Sequence, residues 1–141
     1  MSPRSTRLQP AVDQAQQREQ DALQRFAEAQ QRLAHVQQQL EDLERYRQEY
    51  SVSSAGGLTV TALVNRQQFV DRIDQAIIQQ GREIERQQRL LETMRGQWLH
   101  AHARERALDS VVERYRTQEQ QSEQRMEQAE IDERMQYRRK P

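Results

Sequence analysis

The feature that most constrains this chain is a run of apolar side chains at alternating spacings of four and three, sustained along most of its length and broken once. Before the break it runs through Leu8, Val12, Ala15, Ala22, Phe26, Ala29, Leu33, Val36, Leu40, Leu43 and Tyr50, with Glu19 and Arg47 as polar interruptions. After the break it resumes through Leu63, Val70, Ile73, Ile77, Ile84, Leu91, Met94, Trp98, Ala101, Leu108, Val112 and Tyr115, interrupted by Gln80, Gln87 and Glu105. That spacing is the heptad signature of helices supercoiled about a shared seam. The break itself is Ser51, Val52, Ser53, Ser54, Ala55, Gly56 and Gly57, a cluster of small residues with paired glycines, which is turn chemistry. Thr59 and Thr61 are both candidates to cap the helix that follows. Pro10 falls near the start of the first helix, where its missing N–H costs no bond.

Composition agrees with a narrow seam rather than a wide core. Of the 141 residues only 34% are hydrophobic and 5% aromatic, and the mean hydropathy is −1.18. A chain this polar either stays disordered or buries a thin apolar stripe between long helices. Its abundant Gln, Arg, Glu, Ala and Leu are good helix formers, which favours the stripe. A short turn between long helices makes them antiparallel neighbours. The expected fold is therefore all-α, two long helices forming an antiparallel coiled-coil hairpin. It is read as a single domain, with helix one over about residues 6–50, the turn over about 51–58 and helix two over about 59–137.

Taking Leu43 and Ile73 as d positions puts Tyr46, Gln39, Phe69 and Ala76 at g positions. Setting Tyr46 opposite Phe69 then places Gln39 opposite Ala76 and Leu8 opposite Ala107. In that register helix two overhangs helix one beyond about Leu108. The overhang carries only a weak seam of Val112, Tyr115, Glu119, Ser122, Met126, Ala129 and Glu133, and a lone helix of that kind is marginal in water. It reads as a segment that awaits a partner.

Several function classes have little support. Basic and acidic residues balance at 22 each, against a dedicated nucleic-acid binder. The run Arg138, Arg139 and Lys140 reads as a solvated tail. His100 and His102 are two apart and do not share a helical face, and His35 is isolated, so all three read as surface residues rather than metal ligands. Carboxylates such as Glu41 and Asp42 lie on a solvated helix without a pocket to perturb them. No phosphate-cradling GxxxxGK[ST] loop occurs, and Trp98 falls on an a position, a core site. The chain is expected to be non-enzymatic and to need no cofactor or metal. Without cysteine, an apolar span or an apolar leader core it is expected to be soluble and cytoplasmic.

Against that background several segments match a family. Gln39-Leu40-Glu41-Asp42-Leu43-Glu44-Arg45-Tyr46-Arg47-Gln48-Glu49-Tyr50 resembles the QLxxLxxYxxEY pattern of FliJ proteins. After the break, the segment from Asn65 through Phe69 and Ile73 to Ile77 is similar to their xYQxFxxxLxxAI pattern, with Arg66 where tyrosine is usual and Ile73 where leucine is usual. Trp98 stands where the family has a tryptophan. Arg125 to Glu133 is similar to RxxQKxxDE with Ala129 replacing the lysine, and Arg7-Leu8-Gln9-Pro10 also fits. The resemblance spans nearly the whole chain.

The resemblance implies a stalk protein of the flagellar type III export machine, cytoplasmic and peripheral to the inner membrane at the flagellar base. Its implied partners are the hexameric export ATPase FliI, the cytoplasmic domain of the export gate FlhA and, in an escort role, export chaperones; nucleic acid and direct membrane insertion are not implied. The gate-contacting positions of the family carry over to Gln39, Leu43, Tyr46, Tyr50, Phe69, Ile73, Ala76 and Gln80, the last standing where some members have histidine. The overhang is the implied ATPase-contacting part, with Val112, Tyr115, Met126, Gln128, Ile131 and Asp132 as its candidate contacts. The alternatives are an injectisome stalk, or a structural coiled coil or export chaperone with no ATPase contact.

Overall fold

A computed structural model describes residues 3–52 and 59–139. The glycine pair Gly56 and Gly57, with the turn expected around it, lies outside the described residues. The described chain is all-α. A four-residue helix α1 (Arg4–Arg7) leads into α2 (Gln9–Val52), and α3 (Val60–Arg139) follows. Leu8 separates α1 from α2. Pro10 accounts for the break, because a proline in a continuous helix would have no N–H for the carbonyl four residues back and its ring would clash there. The ladder restarts at once, with Val12 N–H donating to the Leu8 carbonyl at 3.0 Å.

The two ends beside the break differ slightly from the sequence reading. Ser51 and Val52 close α2 instead of opening the turn, and the Ser51 hydroxyl folds back onto the Arg47 carbonyl at 2.8 Å. Of the two candidate caps, Thr59 is the one used: its hydroxyl accepts the Ala62 N–H at 3.2 Å. That satisfies one of the donors a helix start leaves open.

The residues fall into two compact units, one of Ala22–Trp98 and one of Met1–Asp21 with Leu99–Pro141. In each, α3 packs antiparallel on the earlier part of the chain. In the first, Ala22, Ala29, Val36 and Ile73 are buried, with Phe26, Leu33, Leu40, Val70, Ile77, Ile84, Leu91, Met94 and Trp98 half-buried around them. Alanines at seven-residue intervals let the helices approach closely. The larger Phe26 and Trp98 rings stack nearly parallel, with centroids 6.2 Å apart and 11° between planes. In the second unit Val12, Ala15 and Val112 are buried, and Leu8, Ala101, Leu108 and Tyr115 are half-buried. The residues covered are mainly those the heptads designate, and among the described residues no side chain is both large and completely enclosed. The seam is a stripe, as the polarity of the chain requires.

The polar interruptions lie on the same stripe. Glu19, Gln80 and Glu105 are half-buried and Gln87 is buried. Most make specific contacts. Glu19 faces His102, with Oε1 3.6 Å from Nδ1; His102 is half-buried there and is not the plain surface residue expected. Arg47 pairs with Asp74 across the helices. Gln87 donates to Glu83 at 2.9 Å.

The register departs from the sequence reading by about one helical turn. Phe69 packs on Tyr50, with ring centroids 4.6 Å apart, rather than facing Tyr46. Gln39 is bonded to Gln80, not set opposite Ala76. In the second unit the cover on α3 also reaches further than expected. Ser5 is buried, its N–H and hydroxyl both donating to the Glu119 carboxylate at 3.1 and 2.7 Å, and the Arg4 guanidinium lies 5.7 Å from the centre of the Tyr115 ring. The partnered part of α3 therefore runs to Glu119, where the sequence reading ended it near Leu108. Residues 120–138 are exposed throughout.

Candidate partner-binding site

Near the C-terminal end of α2 and the N-terminal end of α3, the seam opens into a groove of about 520 Å³ lined by Leu43, Tyr46, Glu49, Tyr50, Phe69 and Ile73. Helical geometry explains the gathering. Residues three, four and seven apart share a face, which aligns Leu43, Tyr46 and Tyr50 on α2 and Phe69 and Ile73 on α3. Ile73 is buried and forms the floor; Leu43 is half-buried. The three aromatic side chains form the walls and stay open to solvent, Tyr46 at 56%, Tyr50 at 40% and Phe69 at 42%. Aromatic walls over an aliphatic floor make a surface suited to an apolar anchor from another protein. No charge is buried in it.

Five of the eight candidate gate residues line this groove. Two others, Gln39 and Gln80, are engaged with each other. The Gln80 side-chain amide donates to Gln39 Oε1 and to the Val36 carbonyl, each at 2.9 Å. Gln39 also lies 3.2 Å from the His35 ring nitrogen. Ala76 is half-buried. Two residues absent from the sequence-derived set belong to the groove's surroundings. Glu49 is part of its lining; its place beside Tyr50 in the segment that resembles QLxxLxxYxxEY was the signal available for it. Arg66 donates to the Tyr50 carbonyl, and its standing where the family pattern has tyrosine was the signal available for it.

The six candidate ring-contact residues divide. Val112 is 3% exposed and Tyr115 is half-buried, so both belong to the seam and are covered within their own unit. That corrects their assignment to a free overhang, and the cause is a register that runs further along α3 than expected. Met126, Gln128, Ile131 and Asp132 lie on the exposed stretch. Gln128 and Asp132 bond to each other along the helix at 3.1 Å. Met126 at 65%, Ile131 at 50%, Met135 at 58% and Tyr137 at 84% are all open to solvent. At about 100° per residue Met126 and Tyr137 fall on one side of the helix, and Ile131 and Met135 on nearly the opposite side. A helix that packed on one flat surface would concentrate them on one stripe.

Glu119 marks where cover stops. The two hydrogen bonds from Ser5 hold its carboxyl below the usual carboxylate range. Among the described residues no helix is long and apolar enough to cross a membrane.

Compared with known proteins, the chain finds no match among curated proteins or solved structures. A family model does match, that of the flagellar FliJ protein, over residues 4–141. The match takes in both units and the exposed end of α3, nearly the whole length of the sequence: the chain belongs to the flagellar FliJ protein family.

Proposed function

We propose that this member of a flagellar export family is a non-enzymatic coupling stalk, working in the cytoplasm beside the inner membrane, which contacts two partners through separate surfaces. The groove of Leu43, Tyr46, Tyr50, Phe69 and Ile73 takes the cytoplasmic domain of the export gate FlhA. The exposed stretch 120–138 of α3, with Met126, Gln128, Ile131 and Asp132, takes the ring of the export ATPase FliI. The observation that carries this reading is the convergence, on one solvent-open groove, of residues drawn from both helices that the family's motifs single out. Aromatic residues are not needed beside a seam for the seam to form, and solvent-facing edge positions are ordinarily Glu, Lys or Gln.

The distal stretch supports the second contact in a different way. Its apolar side chains point to opposite sides, so a partner that surrounds the helix covers more of them than one that lies against it. ATP hydrolysis belongs to the ring; this chain's part is to be held by it and to engage the gate. The test is a pull-down of the full chain with the ATPase and with the gate's cytoplasmic domain, followed by an ATPase assay. Retention of both partners with stimulated hydrolysis is the expected result. Binding of neither, with intact helicity, favours a purely structural coiled coil.

A further inference from the structure

We propose that polar side chains at or beside the apolar seam, Gln80 and Arg66 foremost, select the register in which α2 lies on α3 and thereby shape the aromatic groove. The apolar seam alone does not fix that register. Both helices repeat an apolar residue every three or four positions, so a slip of one turn still sets apolar against apolar. Tyr46 can then take the place of Tyr50 opposite Phe69, and Ala76 the place of Gln80 opposite Gln39. The contacts that distinguish the registers are polar and directional. Gln80 reaches across to the Val36 carbonyl and to Gln39, both at 2.9 Å. Arg66 donates to the carbonyl of Tyr50. Arg47 pairs with Asp74.

Their placement gives them this role. Tyr50 lies in the last turn of α2, where carbonyls have no partner within their own helix. Arg66 supplies one from α3, so it closes the end of α2 and holds the residue whose ring packs on Phe69 at 4.6 Å. Gln80 does the same from the other side of the groove, where the helix ladder already occupies the Val36 carbonyl and its second lone pair is the one Gln80 takes. A slip of one turn breaks each of these bonds and moves Tyr50 off Phe69. Polar residues at seam positions characteristically fix register at a cost in stability. On this reading Gln80 and Arg66 are positioning residues: they act on the groove through the helices and need not touch its occupant.

The register claim stands on these contacts; its consequence for gate binding rests on the function proposed above. Because the chain has no cysteine, spin labels can be placed cleanly at Gln31→Cys and Gln75→Cys, both exposed positions within one unit, in the full chain. The distance between the labels is measured by electron–electron double resonance for the parent, Gln80→Leu, Arg66→Gln, Gln80→Leu with Arg66→Gln, and Arg66→Lys. The parent and Arg66→Lys, which keeps a donor for the Tyr50 carbonyl, are expected to give one distance. The double variant is expected to keep its helicity, melt no lower than Arg66→Gln alone, and gain a second distance displaced by about 6 Å, one turn of four residues. Loss of the cross-helix bonds moves the ratio of registers by about tenfold or more. A single unchanged distance in the double variant overturns the proposal, and so does loss of helicity, which makes these residues folding determinants instead. A second distance with unchanged affinity for the gate domain leaves the register claim standing and removes the groove as the gate site.

Discussion

Replacing Tyr46 and Phe69 by alanine separates a groove that binds from a groove that merely covers the seam. The two rings remain 56% and 42% exposed in the free chain. An aromatic side chain offers roughly 200 Å², so complete cover by a partner buries about 110 and 80 Å² more. At about 25 cal/mol per Å² this sets a ceiling near 5 kcal/mol for the pair. Ordering costs and incomplete cover absorb part of it, leaving an expected loss of about 2 kcal/mol, roughly thirtyfold in affinity. The stability cost draws on the other share of each ring, together with the Phe69–Tyr50 contact, which is worth about 1 kcal/mol. Neither residue is a seam position, so α2 and α3 should remain paired through Leu40, Val70, Ile77 and the residues beyond.

The assay is titration of the gate's cytoplasmic domain against parent and double variant, with circular dichroism on both. Weakened binding at unchanged helicity is expected, with ATPase stimulation retained. If the variant unfolds at ordinary temperature, the rings are structural; if it stays folded and binds as tightly as the parent, the groove is not the site.

Further outcomes follow from the same structure. Removing residues 120–141 should abolish ATPase stimulation while the seam around Val12, Ala15 and Val112 survives, whereas truncation at Leu108 should also release the N-terminal segment, seen as lost amide protection near Ser5. Gln87 is 6% exposed, and its Oε1 has no hydrogen-bond partner among the described residues. Gln87→Leu should therefore raise the melting temperature, by an amount corresponding to about 1 kcal/mol; a lower melting temperature would contradict the placement. The Ser5–Glu119 contact should be acid-sensitive. Its bonds depress the Glu119 pKa, so its contribution is complete above the ordinary carboxylate range and is lost as pH falls through the lowered native value. Amide exchange at Ser5 should quicken over that acid window in the parent, and Glu119→Gln, which has no carboxyl to protonate, should remove the dependence.

The seam was legible in the sequence because burial in a helix pair follows a period that single residues report. From Leu8 to Glu119 nearly every designated position is buried or half-buried, the polar interruptions Glu19, Gln80, Gln87 and Glu105 among them. Exposure at Arg47, Tyr50 and Leu63 comes where the two helices approach their ends. Register was less legible, since a repeat of three and four looks alike after a slip of one turn. What fixes it, the bonds of Gln80, Arg66 and Arg47, depends on side-chain reach rather than period. The register error also accounts for the misassignment of Val112 and Tyr115. Ser5 stands seven residues before Val12 on the same row of the heptads but has no apolar side chain to extend the pattern, and its bond to Glu119 became visible only once the helices were set side by side. The aromatic groove was half legible: the motifs named its residues, while its pairing of Phe69 with Tyr50 instead of Tyr46 followed from the register.

If two partners are held at two separable surfaces, each surface can be removed without the other. The most direct measurement titrates three full-register proteins (the parent, Tyr46→Ala with Phe69→Ala, and the chain ending at Glu119) against the ATPase and the gate domain in turn. A crossed pattern is expected, in which the double variant loses the gate domain and keeps the ATPase, and the shortened chain loses the ATPase and keeps the gate domain. Loss of both partners by either variant at unchanged helicity, or of neither by both, would contradict it.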